Sequence, residues 1–312
     1  KAVMSEDRGR SWVRVRASGK INLALRVGPR RADGYHPLAT VFQAVSVYDE
    51  LEVRRAAPGS FPVTVTGAQA ALVPTGAGNL VVRAARLLAA EFGRPELLGA
   101  EIAIRKCIPV TGGMAGGSAD CAAALVGLAH LWDLDVTPDE LAELGSRLGA
   151  DVPFALVGQT AYGVGRGDDL IPVLSRGSYH WVLALADFEL STPAVFARFD
   201  ELNPDAAPVP AEPPAELLEA LASGDPVALG RVLVNDLQPA ALSLRPELGR
   251  TIEAGLDAGA LAAVVSGSGP TIAFLAGSEA SAIDLSLALA DLAVCRSLKR
   301  VTGPVPGARL LS

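Results

Sequence analysis

Pro109-Val110-Thr111-Gly112-Gly113-Met114-Ala115-Gly116-Gly117-Ser118-Ala119-Asp120 is the stretch on which the reading of this chain turns. Four of its twelve residues are glycine. The alternating run Glu101-Ile102-Ala103-Ile104-Arg105 precedes it and predicts a strand, and the Ala- and Leu-rich residues 121–132 behind it predict a buried helix. A glycine-dense turn that opens a helix exposes backbone N–H groups at the positive end of the helix dipole, which is a phosphate site in waiting. It is not a P-loop, because no Lys follows the glycines, and it lacks the Gly-x-Gly-x-x-Gly dinucleotide spacing. Such turns also serve helix–strand packing alone. Four glycines, a Ser at the helix start and a preceding Pro put phosphate binding ahead.

The chain has 312 residues, half of them hydrophobic and a fifth charged, so it can bury a sizeable core in one large domain or two ordinary ones. Its net charge of −7 argues against a non-specific nucleic-acid binder. Positive charge must therefore be local if the ligand is an anion. Cys107, Cys121 and Cys295 form no Cys-x-x-Cys pair and suit a reducing cytoplasm. His36, His130 and His180 are too scattered to suggest a metal site, and His130, late in an apolar helix, reads as structural. Residues 1–10 are polar, unlike a signal peptide, and predict a frayed end. No segment reads as a membrane span.

The first seventy or so residues read as β-rich, by their period-two alternation. Strands are expected over 12–17, 23–27, 38–48, 49–54 and 61–66, with turn formers at 28–34. A helix is expected over 79–92 with Asn79 as its cap, and another over 138–148 with a Thr137/Glu140 capping box and Pro138 at its first position. Residues 162–169 read as a glycine-rich strand and turn. Beyond them come strands at 181–186, 261–265, 271–275 and 292–298. Helices are expected from 192 to 199 and over 215–222, 226–233, 246–258 and 278–290, with a five-proline loop at 203–214. The class is α+β, with a domain boundary near Asp168 dividing 11–167 from 168–312.

Four places carry candidate chemistry. Lys20, flanked by apolar residues with Asn22 two positions on, is either a solvated surface lysine or a cation inside a site. Asp151, after a helix and before Val152-Pro153-Phe154, either satisfies turn N–H groups or stands in an apolar cleft, where it could take a proton from a hydroxyl. Asp33-Gly34-Tyr35-His36 is either an ordinary hairpin or a ledge for a base or sugar. Ser266-Gly267-Ser268-Gly269-Pro270 is either a plain turn or a second glycine-rich backbone facing the first.

Together these sites resemble the GHMP small-molecule kinases. The three boxes of that family correspond to Ala17-Ser18-Gly19-Lys20-Ile21-Asn22, the loop from Pro109 to Ala119, and Ser266 to Pro270, in that order. The resemblance runs from about residue 13 to 275. Arg31-Ala32-Asp33-Gly34-Tyr35-His36 and Gly149-Ala150-Asp151-Val152-Pro153-Phe154 are similar to the branch that phosphorylates a cytidine-diphosphate-linked methylerythritol in non-mevalonate isoprenoid synthesis. The loop departs from the commonest wording at Met114-Ala115 and in having Ala119 after a single Ser118.

The resemblance implies a two-domain α+β fold: a ribosomal-protein-S5-like N-terminal domain and a ferredoxin-like C-terminal one. It implies ATP and Mg²⁺ as cofactors, Asp151 as base or orienting carboxylate, and Lys20 as its cationic partner. Pro109, Val110, Thr111, Gly112, Gly113, Met114, Ala115, Gly116, Gly117, Ser118 and Ala119 would hold the ATP phosphates, with Ser118 the candidate hydroxyl toward Mg²⁺. Tyr35 and Phe196 would sandwich cytosine, and His36 would read its edge. Asn22, Thr192, Gly267, Ser268 and Gly269 would line the substrate pocket. A cytoplasmic monomer or weak homodimer acting on a small molecule, with no nucleic-acid or membrane partner, completes the expectation. A mevalonate-, homoserine- or galactose-type kinase is the second choice, against which Tyr35-His36 argues. A non-catalytic nucleotide-binding relative would be expected to have lost Lys20 or Asp151, and both are present.

Overall fold

The computed structural model describes residues 12–92 and 94–312; the expected frayed end at 1–10 lies outside them. The first strand, β1 (Val13–Val27), forms a long antiparallel hairpin with β2 (Leu38–Arg55). Each was expected as two strands and is continuous. Register shifts between Ser18 and Gly19 and between Asn22 and Ala24 absorb the irregularity, and these bulges bracket Lys20. Bulges re-aim side chains without ending pairing, which is why period-two alternation fails here. β1 is buried from Ala17 to Leu25 because both its faces are covered.

β3 (Val63–Gly67) leads to α1 (Leu80–Glu91), which is capped by the Asn79 side chain accepting from the Val81 N–H. β4 (Ala100–Lys106) pairs antiparallel with the C-terminal half of β2 and parallel with β3. α2 (Gly116–Leu131) starts earlier than expected, inside the glycine loop. It is almost wholly buried between the sheet and α1, which explains its alanines. A Cβ on Gly127 would lie 2.8 Å from Val15 Cγ2, so the helix packs tightly on β1 there. α3 (Pro138–Leu148) carries the expected capping box. The short α4 (Val152–Val157) follows, unanticipated, and then β5 (Thr160–Gly165), which pairs with the N-terminal half of β2, and β6 (Asp169–Pro172).

The second sheet starts at β7 (Tyr179–Leu185). Helices α5 (Thr192–Leu202), α6 (Ala215–Ser223) and α7 (Pro226–Gly230) come next. α7 ends three residues short of the expectation because Val234–Asn235 (β8) leaves to pair parallel with β1. α8 (Gln238–Leu244) was not expected, and α9 (Glu247–Asp257) was. β9 (Ala262–Val265), β10 (Ile272–Ala276), α10 (Glu279–Leu292) and β11 (Ser297–Gly303) complete the unit. The order β11-β7-β10-β9, all antiparallel, is the 4-1-3-2 order of a ferredoxin-like βαββαβ unit. The sequence pattern predicts the last strand at 292–298. Leu292 instead ends α10, with Ala293 left-handed (φ 50°) as its cap. β11 is an edge strand, so Lys299 and Arg300 can sit in it, and their charge hid it from a hydrophobic reading. Finally β12 (Arg309–Leu310) returns to pair with β1. Three strands from beyond position 168, β6, β8 and β12, therefore belong to the first sheet.

Candidate active site

The glycine loop closes over the middle of β1. The Lys20 N–H donates to the Met114 carbonyl (3.2 Å), and the Thr271 N–H donates to the Gly112 carbonyl (3.3 Å). Ala115 takes a left-handed conformation (φ 58°) just before α2, and no side chain caps the helix. The first α-type bond runs from the Ala119 N–H to the Ala115 carbonyl (2.9 Å). The amides of Gly116, Gly117 and Ser118 thus precede the ladder, at the positive end of the dipole. Such an arrangement can cradle an anion.

A cavity of about 750 Å³ opens in front of the cradle. Pro109, Thr111, Gly112, Gly113, Ala115, Gly116 and Gly117 line it together with Lys20, Asn22, Asp151, Thr192, Phe196, Gly267 and Ser268. Residues separated by up to 248 positions in the chain are thereby brought to one space. Other candidates stand back. Met114 and Ala119 are fully buried and belong to the core, and the Val110 N–H is held by Gln69 Oε1 (2.9 Å). Ser118 is half-buried and Gly269 lies behind the cavity wall, its N–H donating to the Ser266 carbonyl (2.9 Å).

Lys20 is a buried cation. Its Nζ donates to Asn22 Oδ1 (2.8 Å) and to the Gly113 carbonyl (3.0 Å), and it lies 4.0 Å from Asp151 Oδ2. Burial pushes its pKa down, and the Asp151 charge opposes that. Asp151 sits at the N-terminal end of α4, yet its carboxylate makes no capping bond there. It is therefore not consumed by the turn, which was the alternative reading. Asn22 is oriented in turn by donating to Thr40 Oγ1 (2.8 Å). The turn from Ser266 to Pro270 faces the glycine loop: Ser266 Oγ donates to the Gly113 carbonyl (3.1 Å). Ser268 Oγ and Thr192 Oγ1 share a hydrogen bond (2.8 Å), tying that turn to the start of α5.

A second cavity of about 440 Å³ adjoins the first through Leu38, Thr192, Pro193 and Phe196. Tyr35, His36, Arg30, Arg166 and Asp200 also line it. Tyr35 is 62 % exposed, with the Arg166 guanidinium over its ring (5.8 Å). The His36 ring lies 4.9 Å from that of Phe196 at a tilt of 32°. His36 Nε2 is 2.7 Å from Asp200 Oδ1.

Two features escaped the sequence reading. Asp200 was one; it follows Thr192 and Phe196 at four-residue spacing on α5, and that helical stripe could have revealed it. The other is a buried ion network beneath the cradle. Lys106 Nζ donates to Asp49 Oδ2 (2.5 Å) and Asp120 Oδ2 (2.7 Å), while Asp49 Oδ1 accepts from the N–H groups of Cys107 (2.6 Å) and Ile108 (2.9 Å). Burial would lower the Lys106 pKa, but the two carboxylates outweigh it and raise the pKa. Burial, with the Asp49 charge added, pushes the Asp120 pKa up, against Lys106. The network joins β2, the exit of β4 and the first turns of α2. No sequence signal marks it, because the three residues are far apart in the chain.

Residues 79–159 match the family description "GHMP kinases N terminal domain" and residues 217–294 match "GHMP kinases C terminal". The chain is 56 % identical to the 4-diphosphocytidyl-2-C-methyl-D-erythritol kinase of Nocardia farcinica, over 96 % of this chain and 97 % of that protein. It is 54 % identical to the enzyme of the same name from Rhodococcus jostii, over 96 % and 94 %. Among solved structures, a 4-(cytidine 5'-diphospho)-2C-methyl-D-erythritol kinase superposes with a TM-score of 0.76 at 33 % identity, covering 94 % of this chain and 99 % of the other. A mevalonate kinase of L. major shares the fold (TM-score 0.69, 18 % identity, 93 % and 95 % covered).

Proposed function

This chain belongs to the GHMP kinase family, and from that premise we propose that it transfers the γ-phosphoryl group of ATP to the 2-hydroxyl of 4-diphosphocytidyl-2-C-methyl-D-erythritol. The observation that carries the reading is the approach of Lys20 Nζ to both Asp151 Oδ2 (4.0 Å) and the Gly113 carbonyl (3.0 Å). A cation, a carboxylate and an anion cradle then share one cavity wall.

Phosphoryl transfer needs little covalent help from the protein; it needs positioning and charge stabilisation. In this reading the free amides at the start of α2 hold the ATP phosphates. Asp151 orients the 2-hydroxyl and accepts its proton as the oxygen bonds to the γ-phosphorus. The bond to the β-phosphate oxygen breaks and ADP leaves. Lys20 faces the negative charge that spreads over the moving group. Asn22 and the Ser266–Ser268 turn hold Lys20 and the loop in place. The base end of the substrate occupies the second cavity, between Tyr35 and Phe196, with His36 at the base edge.

Among the described residues no cluster of three or more His, Cys, Asp or Glu could hold a metal ion. Mg²⁺ would thus be bound chiefly by the ATP phosphates, with the Ser118 hydroxyl as its protein contact, and would neutralise phosphate charge. We place the enzyme in the cytoplasm, as a monomer or weak homodimer; its three free cysteines accord with a reducing compartment.

The test is ADP release from ATP and Mg²⁺ against a panel of alcohols. Release that depends on the cytidine-diphosphate alcohol, and falls by roughly a thousandfold in Asp151→Asn with ADP binding retained, is the expected result. Turnover of mevalonate, homoserine or galactose in its place, or none with any alcohol despite ATP binding, would overturn the proposal.

A further inference from the structure

His36 packs against the Phe196 and Phe199 rings, and one carboxylate, Asp200, meets its ring nitrogen. Its Nε2 lies 2.7 Å from Asp200 Oδ1, and its side chain is only 6 % exposed, so the ring is held between α5 and the loop before β2. A carboxylate offers acceptors only, so Nε2 must carry the proton in that bond. In a neutral imidazole the other nitrogen, Nδ1, is then a bare acceptor. Nδ1 has no hydrogen-bond partner among the described residues, and the ring lines the second cavity. Arg30 and Arg166, the other charged groups lining that cavity, carry donors only and cannot take the Nε2 proton; Tyr35 is the remaining titratable group there.

We propose that Asp200 is a positioning residue that sets base specificity: it locks His36 as the Nε2–H tautomer, so that Nδ1 accepts from the exocyclic amino group of a cytosine and rejects the carbonyl that uracil presents at the same place. The inference rests on the reading above that His36 meets the base edge. With uracil two acceptors would face each other in a partly desolvated site, an unpaired arrangement that costs roughly a tenfold to hundredfold loss. Asp200 lines the same cavity, and in this proposal its carboxylate is directed at Nε2. It acts through the ring, as an outer-shell carboxylate fixes the tautomer of a metal-bound histidine.

The experiment combines imidazole ¹⁵N spectra with kcat/KM for the cytidine- and uridine-diphosphate-linked methylerythritols. The wild type should show His36 with Nε2 protonated and Nδ1 bare. Asp200→Asn supplies an amide that can donate to Nε2 or accept from it, so it should admit the second tautomer and lower the cytidine-to-uridine ratio tenfold or more. Asp200→Glu restores an acceptor-only group and should keep both the spectrum and most of the ratio. A wild-type spectrum with Nδ1 protonated overturns the proposal, whatever the variants do. A ratio that collapses in His36→Ala but is unchanged in Asp200→Asn removes Asp200 alone, and a ratio unchanged in His36→Ala removes the base-edge reading beneath it.

Discussion

The Ser266 hydroxyl donates to the Gly113 carbonyl at 3.1 Å, so a turn of the second sheet is fastened to the glycine loop of the first. The same carbonyl accepts from Lys20 Nζ at 3.0 Å. One backbone oxygen therefore registers the cradle, the buried cation and the opposing turn against one another. The relationship matters because phosphoryl transfer loses rate steeply with misplacement.

Gly113 should tolerate no side chain. Its φ is +79°, and a Cβ there would run into the Ser266 carbonyl oxygen. Gly113→Ala is expected to reduce kcat/KM for ATP by roughly a hundredfold through displacement of the loop. Gly59→Ala is the control: its φ is +73° with nothing within 4 Å, so only about 1 kcal/mol of backbone strain is expected, and no kinetic change. Steady-state kinetics with thermal melts separate the two.

Lys20 should titrate below the ordinary lysine value of 10.5, because burial disfavours its charged form. Since Asp151 pulls the other way, Asp151→Asn should push the Lys20 pKa further down, whereas a surface lysine would not respond. ¹³C NMR of the Lys20 ε-carbon across pH reads this directly. If the cation is required, the alkaline limb of wild-type turnover should follow the same lowered pKa.

Lys106→Met should destabilise the fold by about 3–5 kcal/mol, because it strands the Asp49 and Asp120 carboxylates in the interior. Adding Asp120→Asn to Lys106→Met should recover part of the loss by replacing one of the two facing acids with a neutral amide. Urea unfolding of the single and double variants measures both. Equal stability of Lys106→Met and wild type would show the network to be dispensable.

Thiol labelling should be selective. Cys107 is exposed, while the Cys121 thiol is buried in α2 and its pKa is pushed up to about 12, chiefly by burial. At mildly alkaline pH a disulfide reagent should modify Cys107 in the native protein and reach Cys121 only on denaturation, since the thiolate is the reactive form. Mass mapping of the labelled peptides decides it.

Local chemistry was readable wherever it was local. Asn79 and the Thr137/Glu140 box start helices by side-chain bonds that span two or three residues, and both are in place. The strand at Lys299 and Arg300 was misplaced because edge strands carry charge, and the continuity of β1 was missed because bulges break alternation. β8 and β12 are two residues each, too short for any periodicity, and their reason for existing is the β1 edge they complete.

From the residues alone came the cradle's composition, the presence of Lys20 and Asp151, the Tyr35-His36 ledge and the family they resemble, because each is written in a contiguous motif whose chemistry follows from residue type and spacing. The 4.0 Å approach of Lys20 to Asp151, the partnering of His36 by Asp200 and the burial of Lys106 between two carboxylates belong to the tertiary structure. Those contacts join residues from 14 to 164 positions apart. A contact of that kind forms only when packing of separate elements brings its partners together, and the chain order by itself carries no distance between them.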